Sequence, residues 1–133
     1  MTRPLAPLLL DTHALLWWLD GDARLPDRAQ AAILDPAQTV LVSAASAWEI
    51  TTKHRLGKLP GAADVARDVR GCILGQGFEE LAITVADAER AGRLPGPHRD
   101  PFDRMLIAQA SGRDLLLVSN EVLFDSYGIT RLW

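Results

Sequence analysis

Three short apolar runs, each ended by a polar residue, constrain this chain most. They are Leu8-Leu9-Leu10 before Asp11, Val40-Leu41-Val42 before Ser43, and Leu115–Val118 before Ser119. A run with no alternation between apolar and polar positions has no solvent face, as in a parallel strand covered on both sides. Strands are therefore expected at 7–10, 39–42 and 115–118, with shorter ones at 80–83 and near Thr130–Leu132. The stretches between them read as helices. One covers 12–19, and a second lies near 26–34, opened by Pro26 and stopped by Asp35-Pro36. Ser43 caps a third, which runs to about Leu56 and ends at Gly57. A fourth spans 62–75, closed by Gly75 and Gly77, and Thr84 caps a fifth over 85–91. A loop at 92–99 holds two glycines and two prolines, after which Asp100-Pro101 opens a helix to about Ser111. Strands alternating with helices imply an α/β fold with a parallel sheet covered on both faces. Such sheets bind ligands beyond the carboxyl ends of their strands, so the residues that follow the strands matter most.

The 133 residues suffice for one domain with one sizeable core, and no repeat, linker or low-complexity segment interrupts them. Their 48% hydrophobic and 23% charged content excludes disorder. The apolar runs are too short to cross a bilayer, and Met1–Pro4 opens no secretory leader, so no membrane partner is expected. A single cysteine, Cys72, excludes an internal disulfide and a multi-cysteine zinc site, and fits a cytoplasmic protein. Cys72 is expected to be buried and inert. The net charge of −3 argues against a generally phosphate-binding surface. Carboxylates gathered around cations, however, invert that local field. Basic residues also cluster, at Lys53, His54, Arg55 and Lys58 and at Arg90, Arg93, His98, Arg99 and Arg104; these are phosphate contacts or solvated helix ends.

Acids recur where ligands bind. Asp11 ends the first strand, a position that also suits a helix cap. Glu49 lies early in the third helix among Ala44, Ala45, Ala47, Trp48 and Ile50. It is either the surface partner of Lys53 four residues on or a carboxylate in apolar surroundings that needs a cation. Asp100 has the position of an N-cap and Asp103 that of the third helical residue, where a carboxylate also suits the helix dipole. Glu121 follows the strand at 115–118, and Asp125 is expected to face solvent. Carboxylates brought together repel one another unless a counter-charge joins them. Oxygen donors without a histidine or cysteine set point to Mg²⁺, with Mn²⁺ as a substitute. Phosphodiester cleavage by a metal-activated water suits such a site. His13, His54 and His98 are then not needed as general bases, and Trp17, Trp18 and Trp48 are expected in the core or at a dimer interface.

The residues also resemble a known family. Leu8–Ala14 looks like the opening motif of PIN-domain proteins, and Ser43–Ile50 resembles their second acidic motif. His98–Ala110 closely resembles the third motif. Leu117–Glu121 stands where the fourth does, and Phe124–Gly128 with Arg131–Trp133 is similar to the usual ending. The likeness spans nearly the whole chain and is nearest to the VapC-type toxins of bacterial toxin–antitoxin modules. It implies a single PIN-like nuclease domain over 1–133, a three-layer α/β/α fold with a short parallel sheet of four to five strands. It implies a Mg²⁺-dependent endoribonuclease that acts on RNA, is neutralised by a cognate small antitoxin and forms a homodimer. Asp11 and Asp103 become the principal metal ligands, and Glu49 completes the catalytic set. Asp100 and Glu121 become secondary acids, Glu121 standing where the family usually has Asp. Thr12 and Ser119 become hydroxyls that orient the carboxylates.

Other readings fit less well. A receiver-type phosphorylation domain needs a lysine late in the chain, and the only lysines are Lys53 and Lys58. An Asp-x-Asp phosphatase needs a second aspartate where His13 stands. A catalytically weak or inactive PIN-fold binding module is the remaining alternative.

Overall fold

The computed structural model describes residues 5–96 and 98–133. Residues 1–4, where no leader is expected, and Pro97 of the expected loop lie outside them. Five strands form one parallel sheet: β1 (Leu8–Leu10), β2 (Val40–Ser43), β3 (Glu79–Leu81), β4 (Leu116–Val118) and β5 (Arg131–Leu132). Their spatial order is β3-β2-β1-β4-β5. The chain thus builds outward from β1 in one direction, then returns to β1 and builds in the other. This reversal between β1 and β4 opens a crevice at their carboxyl ends.

The apolar runs are buried on both faces for a visible reason. Leu8 and Leu10 point into one cluster with Leu15, Ala29, Val42 and Ile73, while Leu9 points into another with Leu106, Ile107, Leu117 and Phe124. The first cluster is covered by α1 (Thr12–Asp20), α2 (Asp27–Leu34), α4 (Ala63–Arg67) and α5 (Val69–Gly75). α3 (Ala44–Arg55) adds Ile50 to it. The second is covered by α7 (Pro101–Arg113), with α6 (Val85–Arg93) packed on that helix. Each fully buried leucine of β1 contributes about 2 kcal/mol of burial, so the central strand is held from both sides. This is the expected three-layer α/β/α arrangement, with five strands.

Two expectations about local structure change. The helix expected over 62–75 is broken: a 3₁₀ turn at Pro60–Ala62 leads into α4, and Asp68 separates α4 from α5. The Asp68 backbone leaves helical geometry (φ −156°, ψ 73°), and its carboxylate accepts the Gly71 N–H at 2.9 Å, so it starts a new helix instead of continuing the old one. Cys72 on α5 is half-buried, not buried. Of the two places expected for Trp48, core or dimer interface, exposure of 61% of its surface excludes the core. Among the described residues, no helix is long and apolar enough to cross a membrane.

Candidate active site

The crevice beside β1 and β4 holds a cavity of about 120 Å³ lined by Asp11, Thr12, His13, Glu49, Lys53, Asp100, Asp103, Asn120 and Glu121. Four separate elements supply its acids. Asp11 extends β1 by one residue, its N–H donating to the Val118 carbonyl of β4 at 3.1 Å. Its Oδ1 accepts the Ala14 N–H at 2.8 Å, so the carboxylate is both strand end and cap of α1. The cap uses one carboxylate oxygen, and Asp11 still lines the cavity.

Glu49 is only 4% exposed, although it lies on a helix with polar neighbours. Thr12 donates its hydroxyl to Glu49 Oε1, and the Lys53 ammonium pairs with Oε2. The Ser46 hydroxyl lies 3.1 Å from that of Thr12. Burial and the i,i+4 pair are thus both true of Glu49. Lys53, read from sequence as a surface partner, lies on the wall of the acid cavity. Burial works against its charge, but Glu49, helped by Asp100 and Asp103, outweighs that and holds its pKa above the ordinary lysine value.

Asp100 caps α7, its Oδ1 accepting the N–H groups of Phe102 at 2.8 Å and Asp103 at 3.1 Å. Asp103, in the first turn of α7, has its Oδ2 2.9 Å from His98 Nε2. The sequence reading set His98 aside as a base and did not find this contact; a histidine just upstream of an acidic helix start was the available signal. His98 is itself held: its N–H donates to the Tyr127 hydroxyl at 3.3 Å, and its ring meets Phe124 edge-on. Arg104 turns inward onto the carbonyls of His98 and Leu94. It therefore braces the loop and is not one of the free phosphate contacts considered for its basic cluster.

Ser119 is fully buried; its Oγ accepts the Glu121 N–H at 3.0 Å, and it stands close enough to Asp11 to favour the charged carboxylate. Glu121 reaches the cavity from an exposed position and accepts the Leu123 N–H at 3.3 Å, capping the 3₁₀ turn Val122–Tyr127. Asp125 is exposed, as expected, and pairs with Arg131 at 3.0 Å.

Five carboxylates thus share one cavity with Lys53. Burial pushes the Asp11 carboxyl up to about 6; the charges of Glu49 and Glu121 add to this, and hydrogen bonds from Ser119 and Ala14 oppose it. Burial also pushes Asp103 up to about 6, with Asp100 and Glu49 adding to the rise and His98 opposing it. Among the described residues, no group of three acidic, histidine or cysteine side chains is drawn into a ready-made ligand set. Glu49 is turned toward Thr12 and Lys53, and Asp103 toward His98. The donor chemistry nevertheless fits a small hard cation. The donors are carboxylate oxygens, and burial, with neighbouring carboxylates adding to it, raises the pKa of two of them. Mg²⁺ keeps several of its waters and needs only one or two carboxylates from a protein, so a closed cage of three is not required.

Residues 8–129, which carry every one of these acids, match the PIN domain family. The chain belongs to that family. No curated protein matches it in sequence. Solved structures that share its fold include VapBC2 from Rickettsia felis bound to a promoter DNA fragment, with a TM-score of 0.66 at 15% identity, covering 94% of this chain and 96% of that one. The sarcin–ricin-loop-cleaving toxin VapC20 of Mycobacterium tuberculosis gives 0.65 at 19% identity, with 92% and 96% covered. A toxin–antitoxin complex from Klebsiella pneumoniae gives 0.60 at 20% identity, with 86% of each chain covered. The fold of this PIN domain is therefore that of VapC-type proteins.

Proposed function

We propose that this PIN domain is a Mg²⁺-dependent endoribonuclease and the toxin of a type II toxin–antitoxin module. On this reading it is cytoplasmic and homodimeric, a single nuclease domain held inactive by a small cognate antitoxin. The observation that carries the reading is the meeting of Asp11, from the end of β1, with Glu49 of α3 and Asp100 and Asp103 of α7 in one cavity at the β1/β4 crevice. Toxin and toxin–antitoxin structures with the same fold support the biological role.

Asp11 and Asp103 would hold the ion, with Mn²⁺ as a substitute, and Glu49 would complete the acid set. When bound, the cation supplies charge neutralisation at a phosphoryl oxygen and a lowered pKa for attacking water. The chain's own residues do the rest. Thr12 holds one oxygen of Glu49 and Ser119 stands beside Asp11, so each carboxylate has a hydroxyl to orient it. Asp100 fixes the start of α7 and hence the position of Asp103. Lys53 brings a cation to the rim, where a phosphodiester must pass a cavity of its own charge sign.

The test is cleavage of single-stranded and structured RNA by purified protein with Mg²⁺, Mn²⁺ or chelator. Metal-dependent cutting that disappears in Asp11→Asn and Asp103→Asn is expected. Equal rates for both variants and wild type would remove the reading. RNA binding without cutting by the wild type would assign the non-catalytic alternative. Expression alone should slow bacterial growth, and co-expression of a neighbouring small protein should relieve it.

A further inference from the structure

Trp48 precedes Glu49 on α3, and Phe102 precedes Asp103 on α7. The two rings meet edge to face, with centroids 4.9 Å apart and planes at 80°. Lys53 Nζ lies 6.0 Å from the centre of the Phe102 ring. A continuous strip therefore leaves the acid cavity: Glu49, Lys53, Phe102, Trp48. Phe102 is half-buried and serves as the wall, while Trp48 leaves most of its indole in water.

We propose that this strip is a nucleotide subsite, in which a base next to the cleaved phosphodiester stacks on the Trp48 indole. The inference rests on the ribonuclease reading above and adds to it the place where the strand lies. Two observations favour a nucleic acid here over a protein. Ala44, Thr51 and Arg55, which share the Trp48 face of α3, are exposed and small or polar, so they add little to an apolar contact. A stable protein interface needs about 800 Å² on each partner, whereas a single base needs one aromatic face. The charges also suit a phosphodiester chain. The cavity is acidic and would repel the backbone, whereas Lys53, paired with Glu49 between the acids and the rings, and Arg55 on the Trp48 face bring cations to that path. Stacking on an aromatic side chain tolerates any base, since every base has a π-face.

The test uses full-length protein and a mixed-sequence single-stranded oligoribonucleotide whose cleavage site is first mapped with the wild type. Trp48→Ala should raise KM about tenfold or more while changing kcat little, and Trp48→Phe should recover most of the loss. Replacing the nucleotide on one side of the cut by an abasic one should weaken the wild type to a similar degree and leave Trp48→Ala no weaker than before. Because Trp48 is largely exposed, its truncation opens no core cavity; the abasic substrate also probes the unaltered protein. An unchanged KM in an active Trp48→Ala protein overturns the subsite alone, as does full additivity of the variant and the abasic site. An unchanged KM accompanied by a lower mass in light scattering assigns the rings to self-association instead. A wild type that neither cuts nor binds RNA overturns the ribonuclease reading itself, and the subsite with it.

Discussion

The Thr12 hydroxyl donates to Oε1 of Glu49 over 2.5 Å, joining the first residue of α1 to the second turn of α3. Both groups are buried, with Thr12 at 4% exposure. The bond sets where one carboxylate oxygen points while Lys53 sets the other. Thr12→Val keeps the side-chain shape and removes the donor. The expected result is a folded protein whose half-saturating Mg²⁺ concentration for RNA cleavage rises about tenfold to a hundredfold, as for other partners that orient a metal ligand. Cleavage rate against Mg²⁺ concentration reads this directly, and an unchanged curve would show that Glu49 needs no such support.

Removing a site carboxylate should stabilise the metal-free fold. Burial raises Asp11 to about 6 from an ordinary 3.8, so the native state binds this proton more tightly than the unfolded chain does. The stability from that group is complete below the ordinary value and is lost as pH rises through about 6. At neutral pH in chelator, Asp11→Asn should therefore be more stable than wild type by on the order of 1 kcal/mol, a few degrees in Tm. Asparagine keeps an oxygen for the Ala14 N–H, so the cap of α1 survives. The advantage should vanish below the ordinary carboxylate range, and excess Mg²⁺ should shrink it by stabilising only the wild type. Calorimetry in chelator at both pH values decides it; a variant that melts lower at neutral pH would show that the site is not electrostatically crowded.

The layout of this site was legible because its signals are local. An apolar run ending in Asp11 locates a buried strand end, and Asp100-Pro101 locates a helix start, each from a few adjacent residues. Glu49 stood out because small and apolar side chains flank it in sequence; in space its carboxylate meets Thr12 and Lys53. What could not be read were pairings set by side-chain reach between elements. His98 finds Asp103, and Lys53 turns into the cavity, only because α3 and α7 converge there. The sequence left Trp48 between core and interface for a related reason: an apolar side chain says that burial is favourable, not that another element of the same chain covers it. Asp68 costs a helix little by propensity, so its use as a mid-segment cap was hidden until its carboxylate was seen on Gly71.

Away from the site, Asp87 ties α6 to α7. Its carboxylate accepts Arg113 Nη1 at 2.7 Å and Nη2 at 2.9 Å, Gln109 Nε2 at 3.2 Å and the Thr84 N–H at 3.0 Å. The Arg113 guanidinium holds its pKa well below the ordinary carboxylate range. A lowered native pKa stabilises above the unfolded value, and that stabilisation is lost as pH falls toward the native one. Asp87→Asn should cost about 2 kcal/mol at neutral pH, less than the ~3–5 kcal/mol of a fully buried broken pair because Arg113 reaches solvent. Its stability should also fall less steeply than wild type on acidification. Denaturant melts across the acid range check both, and cleavage well below Tm should be unaffected.

Glu121 tests how much the fourth acid contributes. It is exposed and caps the turn at Val122, whereas Asp11 and Glu49 are buried. A solvated carboxylate on the rim is screened and free to move, so its charge acts weakly on the cavity. Glu121→Gln preserves an oxygen for the Leu123 N–H and removes only the charge. The expected loss of cleavage is less than about tenfold, below roughly 1.4 kcal/mol of transition-state stabilisation, against complete loss in Asp11→Asn. Single-turnover rates at saturating Mg²⁺ compare the two. Equal losses would mean that Glu121 moves inward to hold the cation, and that the exposed position is not the one in which it acts.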